Sequence, residues 1–495
     1  MAQAEPNVRY ATPAGRWVIV AVVLGSGAAF LEGTVVSVAL PSIGREFGLD
    51  LSGIQWITNG YLLTLSALII LGGSLGDLFG RRRMFVTGLA GFGVMSLVCS
   101  IAPNVEVLIG ARLLQGIAGA MLVPSSLAIV DTVFAEQDRG RAIGAWSSGS
   151  AISTAFGPFV GGYLVDVASW RLVFLIVVVF VAAAIPIAIR HVPETRDEEV
   201  RGVRPDYLGA ALISLGLAGL TYALVEGPTR GVTSPFVAVT GIGGVAALIA
   251  FVATERRVAH PMLPFAIFSS KQFTGANLVT LANYFALGGA FFFLVLQLQN
   301  VLGYSAIAAG AALLPVNVLM FTLSPQAGKI SQRIGPRIPL TIGPMVVAAG
   351  LVLLGNVKPG SSYATSVLPA AVVFGMGLTI FVAPLTAAVL AAVDEHQAGI
   401  GSAINNATAR LAGLLAAAVL PIAAGLSGQT DGAAFAAGFQ RAMYISAGVS
   451  VVGGLIAFAT VRRATRIQSR AHPHVSLACS LASEQDEPRA ERGAA

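Results

Sequence analysis

The sequence predicts an all-α integral membrane protein of fourteen transmembrane helices: two six-helix bundles that repeat one another, with two linker helices inserted between them. Three observations lead there. Only 11% of the 495 residues are charged while 55% are hydrophobic, and the mean hydropathy is +0.79, whereas a soluble chain is about a quarter charged. Fourteen apolar runs are long enough to cross a hydrocarbon core of about 30 Å, which takes roughly 20 residues. A short polar stretch between two of these runs returns, in fainter form, in the second half of the chain.

Taken in order, the apolar runs bounded by charge, Pro or Gly are 17–40, 52–72, 84–102, 106–129, 142–165, 171–190, 207–226, 235–253, 273–298, 305–326, 338–356, 364–391, 399–425 and 440–461. An even number of crossings puts both ends on one side. With the N-terminus inside, 23 of the 30 lysines and arginines are cytoplasmic, and only Arg45, Arg171, Arg230, Lys358 and Arg441 fall outside. Arg112 and Arg410 remain within helices. The first fifteen residues are polar and the run beginning at Trp17 is long enough to stay as a span, so no cleavable signal is expected.

The stretch Gly73-Ser-Leu-Gly-Asp77-Leu-Phe-Gly80-Arg81-Arg82-Arg83 reads as a short polar turn between spans 2 and 3, fixed to the cytoplasmic side by its arginines. Gly328-Lys-Ile-Ser-Gln332-Arg-Ile-Gly335-Pro-Arg337 matches it at an offset of 255. Arg141-Ala-Ile-Gly144 and Gly399-Ile-Gly401 correspond at nearly the same offset. The domains expected are therefore a cytoplasmic segment 1–16, a six-helix bundle 17–190, a linker 191–260 with helices 7 and 8, a second bundle 261–462, and a disordered cytoplasmic tail 463–495. Parallel halves with a substrate path at their interface are a recurrent transporter architecture.

Four motifs carry a family resemblance: Leu31-Glu-Gly-Thr-Val-Val-Ser-Val-Ala-Leu-Pro41 in span 1, the Gly73–Arg83 stretch, Arg112-Leu-Leu-Gln-Gly116 in span 4, and Gly157-Pro-Phe-Val-Gly-Gly162 in span 5. In this order and on these spans, the chain resembles a major facilitator superfamily transporter of the fourteen-helix drug:proton antiporter branch, from about Trp17 to Arg462.

Glu32 is the one carboxylate well inside a predicted span, about 13 Å below the outer surface if the helix ends at Pro41. An acid at that depth is costly to keep charged and by default functional. The resemblance favours proton coupling, although the family's usual residue here is Asp. Arg112, roughly 10 Å below the same surface, is its expected partner; relatives use this arginine in proton transfer. The competing reading has Arg112 only fastening helix 4 to carbonyls or Gln115. Asp77, Gly80 and Arg81, Arg82 and Arg83 resemble a cytoplasmic latch that charge-pairs at helix ends across the two halves and favours the outward-facing state. Topology alone suffices for the arginines.

Span 5 carries small residues at every fourth position, Gly149, Ser153, Gly157 and Gly161, with Pro158 and Gly162 beside them. Close helix packing explains the stripe, and its Gly-Pro form resembles the antiporter motif of exporters. Candidate substrate contacts are Gln55, Asn59, Tyr61, Asn283, Tyr284, Asn317, Asn405 and Asn406. At each, an interhelical hydrogen bond competes with ligand contact. Span 10 has no acid, whereas some relatives that export dicationic drugs carry one there, so the resemblance favours monocations, neutral or zwitterionic compounds over dications.

The expected function is proton-coupled export of amphipathic drugs or antibiotics by alternating access. A dedicated exporter of one endogenous metabolite, lipid or siderophore stays open as an alternative, as does, at greater distance, a symporter. An enzyme would need clustered acids or histidines at one depth, and a lone intramembrane carboxylate argues against it. No phosphate-cradling Gly-x-x-x-x-Gly-Lys loop occurs, so the proton gradient rather than ATP or another cofactor is the expected energy source. Two cysteines, Cys99 and Cys479, suggest no metal or redox site. The net charge of +6 lies in inter-helix loops, where topology accounts for it without nucleic acid. High Ala, Gly and Arg with little Lys suggests a GC-rich bacterium, so a monomer in the bacterial plasma membrane, with both termini cytoplasmic, is expected.

Overall fold

A computed structural model describes residues 8–197, 205–231, 233–258, 261–393, 397–426, 428 and 430–461. The first half contains α1 (Pro13–Phe47), α2 (Leu51–Phe79), α3 (Arg81–Ser100), α4 (Val105–Val133), α5 (Glu136–Val167) and α6 (Leu172–His191). The inserted pair is α7 (Tyr207–Arg230) and α8 (Pro235–Glu255). The second half contains α9 (Lys271–Val301), α10 (Ala306–Ile334), α11 (Arg337–Gly355), α12 (Tyr363–Leu390), α13 (Ala398–Ala423) and α14 (Gly432–Thr460). Thirteen helices among the described residues are long and apolar enough to span a membrane. The fourteenth, α5, has 32 residues but more polar ones, and it lies between α1 and α10 inside the bundle.

The repeat is visible in packing. In the first half α1 packs on α5 and α6, α3 on α4 and α6, and α2 on α4; in the second, α9 packs on α13 and α14, α11 on α12 and α14, and α10 on α12. Both halves thus use the same five pairings. The inserted helices pack on each other, and α7 rests on α2 of one half and α13 of the other. Glu226 fixes it to α2 by accepting Trp56 Nε1 at 2.8 Å, and also accepts Arg230 Nε of its own helix at 2.6 Å.

Side chains cap several helices where the chain turns: Asp50 accepts Gly53 N at 2.9 Å, Asn104 accepts Val107 N at 2.9 Å, and Asp206 accepts Gly209 N at 2.7 Å. The last turn of α9, Gln297–Val301, is π-helical. Its side chains reach three neighbours: Gln297 donates to Val357 O at 3.1 Å, Gln299 to Val38 O at 2.9 Å and Asn300 to Thr430 O at 3.0 Å.

Two expected boundaries move. Helix α1 does not stop near Pro41 but continues to Phe47, where Gly48 with φ 63° ends it; an internal proline removes one backbone hydrogen bond, and the polar turn beyond it still finds partners. Glu46 in that turn accepts Trp170 Nε1 at 2.6 Å and pairs with Arg171 at 2.7 Å. The Gly73–Arg83 stretch is almost wholly helical as well. Helix α2 runs to Phe79, α3 starts at Arg81, and Gly80 alone makes the turn at φ 109°. At the other end of the chain, the expected disordered tail 463–495 lies outside the described residues. The N-terminal segment is tied to the α4–α5 turn, with Val8 N donating to Val133 O at 3.0 Å and Tyr10 N to Asp138 at 2.9 Å.

The face carrying Gly80, Phe134 and Gly335 is rich in arginine; the face carrying Gly48, Ala168 and Leu302 is poor in it. The two halves meet on the arginine-poor side. There Leu51 N donates to Gly428 O at 3.5 Å, Gln55 to the Ala417 carbonyl, and Asp166 accepts Ala306 N at 3.0 Å and Ile307 N at 2.8 Å. Toward the arginine-rich face they part. Glycines 140 and 144 of α5 and Gly328 of α10 have no neighbouring atoms where a Cβ would stand, and Phe321, Leu323 and Ile330 of α10 are exposed.

Candidate functional site

Glu32 sits mid-way along α1, 0% exposed, and Arg112 of α4 is 2% exposed. The two are joined as a salt bridge through Arg112 Nη1 and Glu32 Oε1. Because α1 reaches Phe47, Glu32 lies about 22 Å from that helix end rather than about 13 Å. The guanidinium is held on every side: Nη1 also donates to Gln115 Oε1 at 2.8 Å, Nε donates to Ile57 O at 3.1 Å, and the Tyr61 ring lies 4.5 Å from Cζ. Gln115 in turn donates to Ser96 at 2.7 Å. Glu32 Oε2 has no partner. Both readings of Arg112 meet here, since it pairs with the acid and also fastens to a carbonyl and Gln115. A charge pair so enclosed is stable while both members stay charged, and adding a proton to the acid removes its hold on the cation.

The arginine-rich turn is clasped inside the first half. Arg81 binds Asp77 one turn back at 2.8 Å. Glu194, beyond α6, accepts Arg82 N at 3.0 Å and occupies the place where a Cβ on Gly80 would stand. Arg82 also reaches Val192 O at 3.2 Å, and Arg81 N donates to Thr195 O at 2.8 Å. The expected latch across the two halves is therefore not engaged in this conformation: the side chain of Asp77 pairs locally, because the halves are apart on this face. Arg83 takes no part in the clasp among the described residues and is exposed at the start of α3.

The small stripe of α5 is spent on α1. Cβ atoms at Gly149, Gly157 and Gly161 would collide with Val23, Thr34 and Val35, and Ser153 Oγ fills the space beside Gly27. Two further positions face the other half. A Cβ at Gly162 would strike the backbone of Ala306 and Ile307, and one at Gly310 the carbonyl of Pro158. Helix α5 is thus glued to its own half and pressed, backbone to backbone, on α10.

The sequence pattern of the Major Facilitator Superfamily matches residues 22–418. The chain belongs to the Major Facilitator Superfamily. The puromycin resistance protein of Streptomyces alboniger is 35% identical over 408 residues, 82% of this chain and 80% of that protein. The tetracenomycin C resistance and export protein of Streptomyces glaucescens is 32% identical over 428 residues, 84% and 78% of the two chains. Among solved structures, the peptide transporter POT in complex with sulfate superposes with a TM-score of 0.67 at 15% identity, over 92% of this chain and 96% of that one; this likeness is one of fold.

In this superfamily member four of the eight candidate substrate contacts are struts between helices. Gln55 ties α2 to Ala417 of α13. Asn283 accepts Ser450 at 2.8 Å, Asn317 donates to Ala155 O at 3.0 Å, and Asn405 donates to Thr280 at 2.7 Å. Tyr61 packs between Arg112 and Phe92. Asn59 is fully buried with neither amide atom partnered. Tyr284, half-buried, and Asn406, exposed, likewise make no hydrogen bond to another helix among the described residues. Sequence reasoning passed over Asp166, which looks like an ordinary interfacial acid, and Arg410, which it counted merely as a charge within a helix.

Proposed function

We propose that this chain exports amphipathic organic compounds from a bacterial cell by alternating access, driven by inward flow of protons. Its relatives are named for antibiotic resistance and export, and its fold is that of a superfamily of transporters. The excess of arginine on one face supports placing that face, and both termini, in the cytoplasm. The conformation described is then the one open to the cytoplasm.

The observation that carries the coupling is the enclosed pair of Glu32 and Arg112, with one carboxylate oxygen unpartnered. In the state open to the outside, a proton reaches Glu32 and neutralises it. Arg112 keeps Gln115, the Ile57 carbonyl and the Tyr61 ring, so releasing the acid leaves α4 in place while α1 becomes free to shift against it. The halves rock, the proton leaves toward the cytoplasm and the pair re-forms. No bound cofactor is needed, and one chain contains the whole path.

Uptake of amphipathic dyes into everted membrane vesicles tests this. Glu32→Gln should abolish uptake driven by an imposed pH difference yet retain downhill exchange. Full pH-driven uptake by Glu32→Gln would refute the coupling.

A further inference from the structure

Arg410 stands at mid-membrane on α13, thirteen residues from the helix end at Ala423, or about 20 Å. It is partly exposed, and its guanidinium carbon lies 5.7 Å from the Phe30 ring of α1. Arg410 belongs to the second half and Phe30 to the first, so Arg410 faces the space between them. Asn406, one turn toward the arginine-rich side on the same face of α13, is exposed, which places the opening of that space.

Among the described residues Arg410 forms no ion pair and no side-chain hydrogen bond. Arg112 shows the contrast, being bound on four sides and neutralised by Glu32. A guanidinium at this depth is expensive unless something answers it. The internal repeat sharpens the point. At the offset of about 256 that relates α13 to α5, the counterpart of Arg410 is Thr154 or its neighbours, small residues near the stripe that packs on α1, so the packing role of this helix position needs no cation.

We propose that Arg410 is the recognition cation of the central cavity, binding a carboxylate, phenolate or sulfonate on an aromatic compound whose rings lie against Phe30. The substrate class is then amphipathic aromatic anions. A planar five-donor fork suits such groups, and with Glu32 and Arg112 cancelling one another the cavity keeps one net positive charge, which repels cations. This deepens the export reading and rests on it, while departing from the monocations, neutral or zwitterionic compounds that the missing acid in span 10 suggested.

Fluorescein and rhodamine 123 share a xanthene skeleton and carry opposite charge at neutral pH. The full-length protein in proteoliposomes, with an imposed pH difference, should move fluorescein. Arg410→Gln should slow fluorescein about tenfold and leave rhodamine 123 within about threefold of its original rate, and Arg410→Lys should restore most fluorescein transport. Elution of each variant as a folded monodisperse species separates transport from misfolding. Equal loss of both dyes in Arg410→Gln, unchanged fluorescein transport, or a parent protein that moves rhodamine 123 but not fluorescein would overturn the assignment and leave export standing. A parent protein that moves no dye of either charge would overturn the export reading itself.

Discussion

The carboxylate of Asp166, near the end of α5, accepts the backbone N–H of Ile307 at 2.8 Å, so an acid of one half caps the first turn of a helix in the other. With the Ala306 N–H it answers two of the amides that every helix start leaves unpaired. This cap exists only while the arginine-poor face is closed.

Asp166→Ala should therefore shift the population away from that closed state by about 0.5–2 kcal/mol, or roughly twofold to thirtyfold. Distances between spin labels on α5 and α10 at that face report it directly. An unchanged distance distribution would show that the cap contributes nothing to closure.

Glycines of α5 should divide into three groups. Gly161→Leu collides with Val35 within the same half and should prevent folding in any conformation, seen as loss of monodisperse protein in detergent. Gly162→Ala meets the backbone of α10 and should fold normally yet mimic Asp166→Ala in the spin-label measurement. Gly144→Ala meets nothing in this conformation and should leave the melting temperature unchanged or raise it, since alanine is favoured over glycine in a helix by about 1 kcal/mol.

Removing Arg112 alone should be worse than removing the pair. Arg112→Met strands a buried carboxylate, a cost of about 3–5 kcal/mol in comparable cases, and adding Glu32→Gln should recover much of it. Melting temperatures of the two single variants and the double variant measure the coupling. Additive effects would mean that the two side chains do not interact in the folded protein.

Gly80→Ala combines a left-handed φ with a Cβ placed on the Glu194 carboxylate. It should lower stability by about 1 kcal/mol or more, and Glu194→Gln should relieve little of this because the amide occupies the same space. Protease accessibility of the segment after α6 is the readout; unaltered cleavage in Gly80→Ala would show that the clasp is dispensable.

The architecture was legible because a helix in hydrocarbon must satisfy its own backbone and so demands a long apolar run. Glu32 and Arg112 were legible for the same reason in reverse, as charges where none is cheap. Helix ends were less so: Ser42 to Phe47 mixes buried Ile43 and Gly44 with exposed Arg45 and Glu46, and nothing in it announces that Pro41 will be passed through rather than stopped at. Asp166 and Arg410 were hidden because their meaning depends on what another helix brings opposite them, Ile307 in one case and an unfilled space in the other. Asp77 shows a further limit. A residue that reads as one partner of a long-range pair takes a local one, Arg81, when the conformation leaves the distant partner out of reach.

The five residues Gln297 to Val301 carry one more implication. Wound with an extra residue in the turn, they send amide side chains to α1, to the loop before α12 and to the loop before α14. Deleting a single residue there would rotate all three amides off their targets together. This spot should thus be among the least forgiving of length variation in the whole polypeptide, and a poor choice for inserting a tag or reporter, although it lies next to solvent-facing chain that looks permissive.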